Sequence, residues 1–283
     1  MLFYFIKTIL LLALFYCLFK FFIQNKSSYG WNRYYLLFTS LIAFIIPLFS
    51  LNSLKSYSIF QSISTSSIMN MVEKWASSLH LFETEYAKII FILLFMGMLW
   101  GITRIVFGLY IIYQLKKNAI IEELNSQKVW FHSSIEIPFT FFNLLFLPPS
   151  FKQNNNLPMI LAHENAHIKL NHSYGKIYYS ILQAIFWFNP FVYFYHHALD
   201  LQHELEADEF AIRNLDKTTY LNNYLIQVNS ILAPTLMVHG HFKHEQQIRI
   251  SRLTSQTPLV FIEKLLMIIL VLIIILLGIL FQI

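Results

Sequence analysis

Residues 174–195 read Tyr-Gly-Lys-Ile-Tyr-Tyr-Ser-Ile-Leu-Gln-Ala-Ile-Phe-Trp-Phe-Asn-Pro-Phe-Val-Tyr-Phe-Tyr, and the way this stretch folds decides the architecture. Lys176 is its one charged residue, and about 20 predominantly apolar residues suffice to cross a bilayer. On composition alone it is a membrane span, but its flanks argue otherwise. Upstream, residues 157–170 read Leu-Pro-Met-Ile-Leu-Ala-His-Glu-Asn-Ala-His-Ile-Lys-Leu, preceded by Asn154, Asn155 and Asn156. Asn near the N-cap and Pro158 in the first turn are helix-start signals. His163 and His167 stand four apart, so both imidazoles project from one side of that helix, and Glu164, about 100° further round, puts a carboxylate beside them. This is the HExxH arrangement, with two metal ligands and a general base on one helix. About two in a hundred shuffled chains of this composition would contain the pattern, so its context has to carry the rest.

Downstream, Asp200-Leu-Gln-His-Glu-Leu-Glu-Ala-Asp-Glu-Phe-Ala-Ile212 is a second helical candidate, with Glu204 and Asp208 on one face. A catalytic zinc site takes three protein ligands. Glu204 is expected to supply the third, and Asp208 to accept the N–H of a ligating histidine and fix its tautomer. Glu206 points to nearly the opposite side of the helix and Glu209 well off the face; both read as solvated charges. His203 reads as support for the site rather than as a ligand. If residues 174–195 crossed a membrane, His163 and Glu204 would lie on opposite sides of it and could not share a metal. The stretch is therefore expected to be a core helix, an interfacial helix or a re-entrant hairpin. Asn189-Pro190 is the natural bend, because a residue before proline avoids the helical region. The site should lie close to the membrane surface.

The composition of the 283 residues agrees with a membrane setting. Hydrophobic residues make up 57% and charged residues 12%, against about 45–50% and 25% in soluble domains. Too little charge is present to coat a water-facing surface, which excludes a soluble enzyme and a disordered tail. The net charge of +5 forms no concentrated basic face, so direct nucleic-acid binding is not expected. Cys17 is the one cysteine, and no intrachain disulfide can form.

Four stretches approach the length of a span: 2–23, 34–51, 89–113 and 259–283. The first reads as a retained anchor rather than a cleaved signal, since no small-residue cleavage site follows it. Arg104 in the third reads as a snorkelling residue. The connection after the first span holds Lys26 and Arg33 without an acidic residue, whereas 52–87, rich in Ser, balances Lys55 and Lys74 against Glu73, Glu83 and Glu85. Positive residues stay inside. The N-terminus is thus expected outside, 52–87 as an outer loop, and 115–258, which opens with Lys116 and Lys117, in the cytosol. The fold class expected is a mainly α membrane protein with four transmembrane helices and a cytosolic α+β zinc metalloprotease domain between the third and fourth. Its strands should come from 126–149, where Lys128–Phe131 and Phe139–Leu147 are rich in aromatic and β-favouring residues, with Pro138, Pro148 and Pro149 as breakers. Proline beside a strand favours an edge. Phe139, Thr140 and Phe141 are then candidates for holding a substrate as an added strand; a plain structural hairpin is the competing reading.

These residues resemble the BlaR/MecR-type integral-membrane zinc metallopeptidases, which are gluzincins. The likeness rests on His163-Glu-Asn-Ala-His167, Trp187-Phe-Asn-Pro190, Glu204-Leu-Glu-Ala-Asp208 and Pro138-Phe-Thr-Phe141; it is dense over about 128–215 and architectural elsewhere. It implies one zinc ion per chain held by His163, His167 and Glu204, Glu164 as general base and Asp208 behind a ligand, in a bacterial cytoplasmic membrane. In relatives of this type a penicillin-binding sensor follows the last helix and the protease inactivates a winged-helix repressor. No fused sensor is expected after Ile283, while a BlaI/MecI-type repressor is the implied protein substrate. His172 is not expected to be a ligand. For His239, His241 and His244 two readings stand, an oxyanion donor or a solvated loop. Two other functions share part of the pattern: a Ste24/HtpX-type quality-control protease, and a non-proteolytic signalling scaffold stabilised by zinc.

Overall fold

The computed structural model describes residues 2–24, 28–48, 84–124, 127–214, 218–222, 246–252, 268, 271 and 272. Helix α1 (Leu2–Leu18) continues through a π turn over Phe19–Ile23, and α2 (Tyr29–Ile45) through a 3-10 turn over Ile46–Leu48. The long α3 (Thr84–Asn118) leads into four strands, β1 (Ile120–Leu124), β2 (Gln127–Phe131), β3 (Phe139–Phe141) and β4 (Leu144–Leu147). Helices α4 (Leu157–Lys169), α5 (His172–Ile185) and α6 (Pro190–Asn214) follow. The protein is thus mostly helical with a small mixed sheet, ordered β1-β2-β4-β3, in which β2 and β4 run parallel and the other two pairs antiparallel.

Of the three foldings left open for residues 174–195, the protein adopts a helical hairpin. Chain reversal falls between Ile185 and Pro190. The buried Asn189 accepts a hydrogen bond from the Phe191 amide on its Oδ1 (3.0 Å), and Pro190 takes the first helical position, where its missing N–H costs nothing. That is the physical content of Trp187-Phe-Asn-Pro190. The aromatic tip is enclosed by three helices: Phe188 meets Phe5 of α1 edge-on, Phe186 stacks on Phe44 of α2 at 4.2 Å, and the Trp187 indole donates to the Leu94 carbonyl of α3 at 3.3 Å. Glycines make the last contact possible. A Cβ on Gly97 would fall 2.1 Å from the Trp187 ring, and one on Gly101 2.6 Å from Ala184 Cα, so this face of α3 uses small residues for close helix approach, as membrane helices do.

Two of the apolar clusters among the described residues are the largest. One joins Leu12 and Phe15 of α1, Phe19 of the π turn, Leu36 and Ala43 of α2, Tyr179 of α5 and Tyr195 and Leu199 of α6. The other joins Val129, Phe131, Leu145 and Leu147 of the sheet to Met159, Ile160 and Leu161 of α4 and Ala211 of α6. Helix α6 belongs to both, so it ties the apolar bundle to the sheet.

Tyr4–Ile23 and Lys88–Asn118 are long and apolar enough to cross a membrane. The expected second span, 34–51, corresponds to α2, which begins earlier, at Tyr29, and is 17 residues long before its 3-10 turn. Its polar residues face inward and its outer face is largely apolar: Asn32, Arg33, Thr39 and Ser40 are buried beside Leu36 and Ala43, while Trp31, Tyr34, Phe38, Leu41 and Ile45 are exposed. The expected outer loop lies outside the described residues except where 84–87 open α3, and the expected fourth span lies outside them except for Ile268, Val271 and Leu272. The strand-like segment 139–147 is a hairpin rather than one strand. Its turn residue Phe142 takes φ 49°, held by a 2.8 Å hydrogen bond from its amide to Ser173 Oγ.

The glycine packing is directly testable. Gly101→Ala should destabilise the protein by about 1–3 kcal/mol, the usual cost of overpacking, and lower its melting temperature in detergent. Gly108→Ala, where nothing among the described residues lies within 4 Å of the added carbon, should leave it unchanged or slightly higher, since alanine favours a helix over glycine; equal melting temperatures for the two variants would contradict the docking described.

Candidate metal centre

Three elements bring the expected ligands together. Helix α4 carries His163 and His167 on one face, and α6 carries Glu204 near its middle. The short link through Leu170 and Asn171, the latter at φ 58°, a backbone region that asparagine tolerates, folds α5 back so that α6 returns beside α4. His163 Nε2 and His167 Nε2 lie 3.2 Å apart, Glu204 Oε2 lies 3.3 Å from the former, and Glu204 Oε1 lies 3.6 Å from the latter. With zinc bonds of about 2.0–2.1 Å, the edge of a ligand tetrahedron is roughly 3.4 Å. The donor atoms thus converge as a metal would require, and two imidazoles with a carboxylate are a donor set that suits zinc. Glu164 follows His163 in the chain and is half-buried, within electrostatic reach of His163, Glu204 and Arg249.

Each histidine has a partner behind it. Asp208, fully buried, lies 3.0 Å from His163 Nδ1. It is held from two further sides: Tyr220 donates to Oδ1 at 2.6 Å, and Arg249 donates to both oxygens at 2.7 and 2.8 Å. Arg249 also reaches Glu204 Oε2 at 3.1 Å. Behind His167 stands His172, with the two Nδ1 atoms 2.8 Å apart. His203 is buried and stacked on the His172 ring at 4.1 Å.

Sequence reasoning missed several of these residues. Tyr220 and Arg249 come from segments without a distinguishing motif. Glu206 does not behave as the solvated charge expected of it: it is mostly buried, 3.1 Å from His172 Nε2 and 3.4 Å from Arg33 of α2, because the side of α6 away from the ligands faces α2 rather than water. Glu209 pairs with the exposed Arg213, as a surface charge would. Phe139, Thr140 and Phe141 form the edge strand β3, beside α4, with the Phe139 ring stacked on Phe146 at 4.9 Å. His239, His241 and His244 lie outside the described residues.

The cluster is built to hold positive charge. Burial would pull His163 down, but its hydrogen bonds and charge contacts with Asp208 and Glu204 outweigh burial and push its pKa up to about 10. Burial would raise the two carboxyls; Arg249, then the histidines, hold Glu204 and Asp208 below the usual carboxylate range. Glu164 behaves differently, for burial raises it. Burial also pulls His167 well below its ordinary value.

A family model described as BlaR1 peptidase M56 matches residues 4–253. Regulatory protein BlaR1 of Staphylococcus aureus is 27% identical over 132 residues, which is 44% of this chain and 20% of that protein. The match thus spans about a fifth of the relative's length.

A metal seated between the three donors needs the lone pair on His163 Nε2, so it must displace the proton that His163 carries below pH 10. Because the folded-state pKa is raised, this competition is strongest at low pH and fades as pH climbs toward that value. Zinc affinity, measured by chelator competition, should therefore rise on the order of tenfold per pH unit through the neutral range; a flat profile would contradict the proton assignment.

Proposed function

The chain belongs to the BlaR1 peptidase M56 family, and from that premise we propose that it is a membrane-embedded zinc endopeptidase that transduces a signal by cutting a cytosolic protein. The observation that carries this reading is the convergence of His163, His167 and Glu204, whose donor atoms all lie within 4.8 Å of one another, next to the half-buried Glu164. In this reading the three residues hold one zinc ion, Asp208 orients His163, and Glu164 is the catalytic base. When bound, zinc supplies Lewis acidity, which lowers the pKa of water and polarises a scissile carbonyl. Glu164 then takes the proton of the attacking water and passes it to the departing amine. Its raised pKa suits that exchange, since a base poised nearer neutrality accepts and returns a proton with less penalty.

The substrate chain is proposed to lie along the outer edge of β3, the edge strand of the sheet among the described residues, with Phe139, Thr140 and Phe141 offering backbone groups to an added strand. The proposed topology has α1, α2, α3 and 259–283 as four crossing helices, the N-terminus outside and 115–258 as the cytosolic protease, in a bacterial cytoplasmic membrane. The inside-out polarity of α2 supports its place among the spans, because a helix that hides polar groups and shows aromatics is matched to lipid. The substrate proposed is a BlaI/MecI-type winged-helix repressor, so the protein acts as an antirepressor without touching nucleic acid itself.

Glu164→Gln should keep one zinc per chain and lose cleavage of such a repressor by at least about a thousandfold in reconstituted membranes. His163→Ala should lose the metal as well. Normal signalling by the Glu164→Gln variant in cells would replace the protease reading with that of a zinc-stabilised scaffold.

A further inference from the structure

The HExxH helix and Glu204 account for the ligands, but not for the line of side chains from three elements that ends on one of them. His167 Nδ1 meets His172 Nδ1 at 2.8 Å, His172 Nε2 meets Glu206 Oε2 at 3.1 Å, and Glu206 Oε2 lies 3.4 Å from Nη1 of Arg33. The same Nη1 donates to the Leu170 carbonyl at the end of α4, at 2.6 Å. Arg33 and His172 are 7% and 1% exposed, so water does not substitute for these partners. The line is closely packed. A Cβ on Gly175 would come 3.0 Å from His203, which stacks on the His172 ring, and a Cβ on Gly30 would come 2.8 Å from Glu206 Oε1.

Proton placement gives the line a direction. To ligate through Nε2, a neutral His167 must carry its proton on Nδ1. It then donates to His172 Nδ1, which must be bare. His172 therefore holds its proton on Nε2 and donates to Glu206, an acceptor whose charge is balanced by Arg33. Each step leaves one tautomer, from the metal ligand at one end to α2 at the other. Helix α2 is itself keyed to α6 by Asn32 donating to Gln202 at 2.9 Å.

We propose that Arg33, Glu206 and His172 are positioning residues for His167, a hydrogen-bonded line through which the placement of α2 sets the orientation of one metal ligand. The proposal rests on the metal-centre reading above and adds to it a route by which a displacement within the bundle reaches the site. Withdrawing Arg33 releases Glu206, and with it the His172 ring that holds His167 in its ligating tautomer.

The test uses the full chain in lipid nanodiscs with Co2+ as the probe, read by its visible absorption and by titration. Wild type should bind one Co2+ per chain. Arg33→Met should keep that stoichiometry at saturation but bind about 10–100-fold more weakly, as loss of a partner behind a ligand does, with an altered absorption band; Arg33→Lys should recover part of the loss. His172→Phe should show a similar loss, and the double variant with Arg33→Met should be no weaker than His172→Phe alone, since residues in one network are not additive. Glu206→Gln, which removes charge without changing size, carries the same test should the arginine variant fail to fold. Wild-type affinity and spectrum in a folded Arg33→Met or Glu206→Gln protein, or independent losses in the double variant, would overturn the line while leaving the metal centre standing. A wild-type protein that binds no Co2+ would overturn the metal centre itself.

Discussion

The constraint on which the rest of the structure depends is that donor atoms 41 positions apart in the chain, on His163 and Glu204, stand 3.3 Å apart. Everything between them must go out and come back. The apolar stretch that does so is long enough to leave the site entirely, and it is turned around by one local device: Asn189 caps the first turn of α6 and Pro190 starts it without needing a partner for a backbone donor. A turn alone would not hold. Its aromatic tip contributes by filling a space that α1, α2 and α3 leave for it, and Gly97 and Gly101 set how near α3 can come. The hairpin is thus a structural element of the bundle and the hinge that closes the site.

Charge is the second organising term. A buried carboxylate without a partner is costly, and Glu204, Glu206 and Asp208 of α6 are partly or fully buried. Each is answered. Arg249 serves Asp208 and Glu204 together, Arg33 serves Glu206, and His163 serves the first two from the other side. Burial raises the proton affinity of Glu164, as it does that of Asp200 on α6. Two environments have been made from one kind of side chain: acceptors pushed down by arginine, and a carboxyl raised by burial beside them. That separation of proton affinities is what distinguishes acids and bases in a working site.

Much of this was legible in the residues because it follows from helical periodicity. The spacing of His163 and His167, and of Glu204 and Asp208, requires only that the segments be helical, and the bend at Asn189 follows from proline's effect on its neighbour. What periodicity cannot supply is the identity of the surroundings. Glu206 does lie on the far side of α6, but that side faces Arg33 and His172 instead of solvent; the inference from face to water holds only for a helix with one side exposed, and α6 is enclosed for most of its length. Tyr220 and Arg249 reach Asp208 from 12 and 41 residues away, separations that carry no periodic signal. The short strand β1 escaped because Ile120–Leu124 contains two glutamates and alternates poorly, and it pairs as an edge where one partner strand suffices.

The same enclosure explains why α2 has the polarity it does. A helix that contributes Asn32, Arg33, Thr39 and Ser40 to its neighbours leaves an outer face of Trp31, Tyr34, Phe38, Leu41 and Ile45, aromatic and aliphatic but for one hydroxyl. In water such an arrangement would expose a large apolar stripe; against lipid, polar contacts between helices add specificity that apolar packing lacks, because the lipid is as apolar as the side chains. The register of α2 against α5 and α6 is accordingly set by hydrogen bonds, Asn32 to Gln202 at one end and Ser40 to Tyr178 and Tyr179 further along. A register set by discrete polar pairs has a few preferred positions rather than a continuum. Because Arg33 sits in that set and also holds the carbonyl of Leu170, three residues beyond His167, the packing of α2 is tied to the end of the helix that carries His163 and His167.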